Sequence, residues 1–190
     1  NAGIHHENGM AILATDSPRI VTALAGNAEP LVKFFTDLFC GSTHDEYSAT
    51  QLRTFYAWLQ RARRALHGPE QHLPGQLLAL VGPADCGKTL AQTLVTRMLG
   101  GRQADPSLWL CGKSPFNDGI WAAEHWAASD SNIEDTLAAR KMLRDRIKEA
   151  TANESLSCHR KHRSEITLRP IARLTLSAND DADSSFVLPI

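Results

Sequence analysis

Apolar positions lay out the elements of this chain before any motif is considered. Leu31, Phe34, Phe35, Leu38 and Phe39 step by three or four residues and predict a helix over 29–40. Leu52, Phe55, Leu59, Ala62 and Leu66 predict a second helix, opened by a Ser48/Gln51 capping box and closed at Gly68-Pro69. Leu77-Leu78-Ala79-Leu80-Val81 is an unbroken apolar run, the pattern of a strand buried on both faces. Helical spacing returns at Leu90, Ala91, Leu94, Val95, Met98 and Leu99, and Gly100-Gly101 stops it.

The second half is more broken. Ser107-Leu108-Trp109-Leu110-Cys111 predicts a strand, and 112–119 a loop that carries Phe116. Trp121, Ala122, Ala123 and Ala127 accept helix, while the end of the 120–129 stretch reads as a strand if it delivers Asp130 to a site. Ser131 and Glu134 form another capping box, which predicts a charged helix over 133–150. Two short strands, 155–158 and 166–168, flank a basic turn, and 172–178 alternates through Leu174 and Leu176 to stop at Asn179-Asp180-Asp181. Before residue 29 the pattern is ambiguous: Ile4-His5-His6 and Met10 to Leu13 suit a short edge strand that Gly, Asn and Pro interrupt. This divides the chain into an extension (1–28), a small helical segment with its linker (29–75) and an α/β core (76–190).

Composition narrows the classes. The chain has 190 residues, with 20 basic against 21 acidic side chains, so any nucleic-acid partner must be met by a local patch. Cys40, Cys86, Cys111 and Cys158 stand far apart with no C-x-x-C pair. That spacing argues against a zinc site or a disulfide framework and suits a reducing cytoplasm. No apolar stretch has the length of a membrane span, so no membrane partner is expected. The chain opens Asn1-Ala2 and ends Val187-Leu188-Pro189-Ile190, and the natural protein is expected to continue in both directions.

The sharpest chemistry lies between the apolar strand and the helix after it. Gly82-Pro83-Ala84-Asp85-Cys86-Gly87-Lys88-Thr89 fits the P-loop pattern G-x-x-x-x-G-K-[ST] at every required position. Gly82 and Gly87 let the backbone curl so that successive N–H groups face a phosphate chain. Lys88 then reaches the outer phosphates of ATP, the Thr89 hydroxyl holds Mg2+, and the contact set runs on to Leu90. Magnesium needs a carboxylate from a neighbouring strand end. Asp130 is the candidate, with Glu124 as alternative, and Asp130 equally suits a plain helix cap. Asn179 ends an apolar strand where it can orient a water at the terminal phosphate, or simply form a turn. Around His159, the side chains of Arg160, Lys161, His162 and Arg163 make the one local basic patch, suited to nucleic-acid phosphates or to solvated surface.

In this order the features resemble the ATPase core of superfamily III helicases, more narrowly the helicase-like domain of phage and plasmid primases. The stretch Leu168-Arg169-Pro170-Ile171-Ala172-Arg173-Leu174-Thr175-Leu176-Ser177-Ala178-Asn179 followed by Val187-Leu188-Pro189 is its most specific part. The resemblance covers about 76–190 and implies an α/β P-loop NTPase fold, AAA+-like, preceded by the small helical segment. It further implies Asp130 as the Walker B acid, Asn179 as sensor 1, and Lys161 and His162 as hairpin residues that track single-stranded DNA inside a homo-hexameric ring. Hydrolysis of ATP would then drive translocation along DNA. Three departures stand out: Ser131 follows Asp130 where the family has a second acid, Asp85 puts an acidic side chain close to the polyphosphate site, and no arginine finger can be assigned. A P-loop module that binds nucleotide as an adaptor, and a small-molecule kinase, are the other classes that fit this loop.

Overall fold

A computed structural model describes residues 3–7, 10–14, 19–41, 45–67, 75–129 and 136–181. The first strands, β1 (Gly3–Glu7) and β2 (Met10–Ala14), form an antiparallel hairpin in which Ile4 lies opposite Leu13. Two helices follow. Pro30 pre-sets the first turn of α1 (Glu29–Cys40), and Gly41, at φ 52°, ends it with its N–H on the Asp37 carbonyl. Helix α2 (Glu46–His67) starts earlier than the capping box at Ser48 implied. Asp45 caps it instead, accepting the Ser48 N–H at 2.8 Å, and that bond holds its carboxyl below the ordinary value. Phe35 and Phe55 meet across the two helices with ring centroids 4.4 Å apart.

Among the described residues the core sheet has four strands: β3 (Leu78–Gly82), β4 (Gln103–Ala104), β5 (His125–Ser129) and, last of them in sequence, β8 (Arg173–Asn179). They lie in the order β3-β8-β5-β4, every pairing parallel. Helix α3 (Lys88–Met98) links β3 to β4, and α5 (Leu137–Ala152) follows β5. Between α5 and β8 lies a short antiparallel ribbon, β6 (Leu156–Cys158) with β7 (Ile166–Leu168). One apolar cluster holds Trp109, Trp126, Leu143, Ile147, Leu174 and Leu176. In a second, Phe35, Phe55 and Trp58 of the paired helices close on Leu80, Ala91, Val95 and Leu99. The 29–67 helices therefore share a core with β3 and α3.

Several expectations need correction. Among the described residues β3 is an edge strand with one face covered: Leu80 is buried against α1, α2 and α3, while Val81 on the other face is 45% exposed. The strands buried on both faces are β5 and β8. Residues 107–110 are not a strand but a one-turn helix, α4 (Ser107–Leu110). The Asp105 carboxylate accepts the Ser107 N–H and hydroxyl, which opens a helix that alternating leucines cannot override. On α3 the buried stripe begins at Ala91, with Leu90 exposed. Helix α5 starts at Leu137, where the Thr136 hydroxyl accepts the Ala139 N–H at 3.1 Å. The Ser131/Glu134 capping box lies outside the described residues.

A buried polar chain joins α3 to the two inner strands. Gln92 donates to the Thr175 hydroxyl at 2.9 Å and to the Ala128 carbonyl at 3.1 Å. His125, fully buried, lies with Nε2 2.8 Å from Thr175 Oγ1 and Nδ1 2.6 Å from Thr96 Oγ1. The donors balance when Thr175 gives its proton to Nε2 and Nδ1–H donates to Thr96, whose own proton goes to Gln92 O or Gln103 Oε1. That assignment keeps the imidazole neutral. Burial pushes the His125 pKa from 6.5 down to about 4. Between those values the unfolded chain binds more protons than the folded one, so this stability is present above pH 6.5 and is lost as pH falls to about 4. The full difference is about 3 kcal/mol. Urea titrations of wild type and His125→Asn across that window should show a flatter pH slope for the variant, whatever its absolute stability.

Candidate functional site

The parallel register sets Gly82, the last residue of β3, directly beside Asn179, the last residue of β8. The chain then turns over residues 83–87 into α3. Asp85 at φ 59° and Gly87 at φ 102° both take the left-handed conformation, which folds the loop back over the strand end. At Gly82 a Cβ atom would come 3.3 Å from Cys86 Sγ, so the loop closes tightly on its own first residue. Helix α3 begins at Lys88, and its first internal bond runs from Ala91 N–H to the Gly87 carbonyl. The N–H groups ahead of that bond have no partner within the helix and carry the positive end of its dipole.

Lys88 is where the loop and the sheet meet. Its Nζ donates to the carbonyls of Gly82, at 2.8 Å, and Pro83, and to Asn179 Oδ1 at 3.1 Å. Cys86 Sγ lies 3.8 Å from the same nitrogen. The structure thus brings together Lys88 and Asn179, distant in sequence, at the end of the sheet where β3 and β8 finish. Pro83, Ala84, Asp85, Cys86, Thr89 and Leu90 are exposed around them. A cavity of about 500 Å³ opens beside this point, lined by Leu38, Phe39, Tyr47, Leu80, Gly82 and Lys88 among others. Its volume is in the range of small-molecule sites.

The acids separate. Asp130 lies outside the described residues; β5 ends at Ser129, paired with Ser177. Glu124 precedes β5, at the opposite end of the sheet from Lys88, and is fully buried. Arg102 Nε reaches its two carboxylate oxygens at 3.0 and 3.1 Å, Arg102 Nη2 adds a further contact, and the Arg19 N–H donates at 2.6 Å. Burial alone would raise this carboxyl, but those bonds outweigh it and hold the pKa low. Glu124 is a structural ion-pair member, not the acid for Thr89. It also explains Gly100, whose Cβ would stand 3.0 Å from that carboxylate and 2.5 Å from the Arg19 carbonyl.

The basic turn does cap a hairpin. Arg163 N–H donates to the Arg160 carbonyl at 3.1 Å, and His162, at φ 60°, tops the turn. Lys161, His162 and Arg163 are exposed; Arg160 lies 3.5 Å from the Asp118 carboxylate. Below it, burial pushes the Cys158 thiol up to about 11, Asp118 adding to the shift and Arg160 opposing it. Sequence reasoning missed Gln92, His125 and Thr175. Their signal was polarity inside buried elements: Gln92 among the buried Ala91 and Val95 of α3, and Thr175 in a strand buried on both faces.

No protein-family model and no curated protein sequence matches the chain. Solved structures do. The apo structure of the NrS-1 C-terminal region (305–718) superposes with a TM-score of 0.64 at 18% identity, over 93% of this chain and 40% of that one. The A-form apo structure of the same region gives a TM-score of 0.62 at 17% identity, over 95% and 40%. The chain therefore matches the fold of that region over well under half of its length. No described helix is long and apolar enough to cross a membrane.

The loop geometry is testable on its own. Gly87→Ala forces a Cβ into the left-handed conformation, and its nearest neighbours, Phe34 and Leu38, stand 3.8 Å from it. Strain rather than collision should then lower stability by about 1–2 kcal/mol, read as a shift of the urea midpoint with unchanged slope.

Proposed function

We propose that residues 82–89 are a phosphate-binding P-loop and that this chain is the ATP-binding, ATP-hydrolysing domain of a phage- or plasmid-type primase-helicase. The observation that carries the reading is the meeting of Lys88 and Asn179 at a loop with two left-handed residues, on the edge where parallel strands end. In open α/β sheets this edge is where ligands collect. The fold shared with the NrS-1 C-terminal region supports an α/β core of this kind.

The residues fit a nucleotide. The amides ahead of Ala91 and the Lys88 ammonium would hold the β- and γ-phosphates. Lys88 already bonds only to oxygens and a sulfur, acceptors that phosphate oxygens would replace in kind. Asn179, one bond from Lys88, would orient a water beside the same phosphate. The base and ribose have room in the cavity bounded by Leu38, Phe39 and Tyr47. Magnesium, which neutralises charge on the phosphates when bound, would be held by the exposed Thr89 hydroxyl and Asp130. The basic turn, with Arg160, Lys161, His162 and Arg163, would face single-stranded DNA, and a homo-hexameric ring would supply the missing arginine.

A second reading rests on Ser131. Without an acid after Asp130 the chain has no evident base to activate water, which favours a nucleotide-binding adaptor. Binding of a fluorescent ATP analogue, and phosphate release with and without oligo(dT), separate the two. Lys88→Ala should weaken nucleotide binding roughly ten- to a hundredfold, the loss of a charge-assisted bond. Phosphate release stimulated by oligo(dT) and abolished by that variant supports the helicase. Tight binding with no release, also in longer forms of the protein, supports the adaptor. Binding unaffected by Lys88→Ala refutes both.

A further inference from the structure

Consecutive residues of the loop that leads to β5 each take hold of the β6–β7 ribbon. Asn117 is 4% exposed. Its backbone N–H donates to the His159 carbonyl at 3.1 Å, and its Oδ1 accepts the His159 N–H at 2.7 Å. Its Nδ2 donates to the Ser157 carbonyl at 2.7 Å. On either side, the Phe116 ring meets the His159 imidazole edge-on at 4.9 Å, and the Asp118 carboxylate lies 3.5 Å from Arg160.

Ser157 and His159 are alternate residues, so their main-chain groups point to one edge of the ribbon, while Cys158 pairs with Ile166 on the other. Asn117 thus satisfies the free edge of β6 as a third strand would. A ribbon of two strands, each of three residues, is marginal by itself in water, so its direction depends on what holds it. Leu156 and Cys158 anchor one face in the apolar core, and Asn117 bonds the free edge. The same loop continues through a short turn at Asp118–Ile120 into β5, which ties the ribbon to the sheet from a side independent of β7 and β8.

Building on the reading of the basic turn as a nucleic-acid surface, we propose that the 116–118 loop aims that turn. Asn117 is its positioning residue, and Asp118 holds the charge of Arg160 back from phosphate. Neither residue touches nucleic acid in this scheme. Asn117 acts through the backbone of residues 157–159, and Asp118 acts by charge. The tip consequently works with Lys161 and Arg163 fully available and Arg160 partly offset.

The test is fluorescence anisotropy of labelled oligo(dT) with the whole 190-residue chain over a series of salt concentrations. The joint variant Arg160→Ala, Lys161→Ala, Arg163→Ala comes first: if binding and salt slope do not fall, the nucleic-acid reading of the turn itself is wrong. If they fall, Asn117→Ala should bind about tenfold more weakly with a flatter salt slope and unchanged nucleotide affinity. Asp118→Asn keeps every Asn117 bond, so its folding is not at issue. It should bind about two- to fivefold more tightly, with a slope steeper by about 0.7, the release of one counterion from a single strand. Wild-type affinity and slope in Asp118→Asn, or wild-type binding by a folded Asn117→Ala, overturns the proposal and leaves the nucleic-acid reading standing.

Discussion

The parallel pairing of β3 with β8 is the constraint on which the rest depends. It sets Gly82 beside Asn179, and only in that register can Lys88 reach Asn179 Oδ1 across the strand ends. A slip by one residue would turn every β8 side chain to the other face. Hydrophobicity already opposes such a slip, because Leu174, Leu176 and Ala178 share one face of β8 while Arg173, Thr175 and Ser177 share the other. The polar residues oppose it further. Thr175 must meet both Gln92 of α3 and His125 of β5, and an unmet buried hydroxyl or imidazole costs more than a misplaced methyl group gains. The polar chain under α3 thus helps to place the loop's lysine and the strand's asparagine together.

A similar division of labour holds at the basic turn. Its charges are supplied locally by five consecutive residues, 159–163, but its direction is not. Asn117, from a loop well upstream, closes the free edge of β6, and Leu156 and Cys158 anchor the ribbon in the core. The lysine loop and the basic turn are therefore each organised by a buried polar side chain at a distance in sequence, with apolar packing supplying bulk stability beneath them. Glu124 belongs to the same class of structural polar residue. Its place between Arg102 and the Arg19 amide anchors the end of the sheet remote from Lys88.

What could be read in the sequence, and what could not, follows from the range of the forces involved. The helices at 29–40 and 46–67, the β3–loop–α3 unit, the hairpin and β8 were legible because hydrophobic period and glycine placement act within a few residues. Errors came where two local signals competed. Alternating leucines at 108 and 110 suggested a strand, yet Asp105 captured the amide and hydroxyl of Ser107 and opened a helix. Ser48 fitted a capping box, yet Asp45 offered the stronger acceptor a turn earlier. β3 read as doubly buried because its residues are all apolar, but burial depends on what covers each face of a strand, and only the Leu80 face of β3 is covered.

By itself the sequence determined much of the loop's make-up: Gly87 where the backbone turns left-handed, a lysine at the helix start, and an asparagine ending an apolar strand. It could not show which of two candidate acids lies away from the loop. The tertiary structure removed Glu124, because parallel strand direction puts it at the far end of the sheet inside an ion pair. Nor could spacing show that Lys88 and Asn179 touch, that Asn117 closes the ribbon, or that His125 is held neutral between two threonines. Those contacts join residues from separate elements, and they exist only once the register of the sheet has brought the strand ends together.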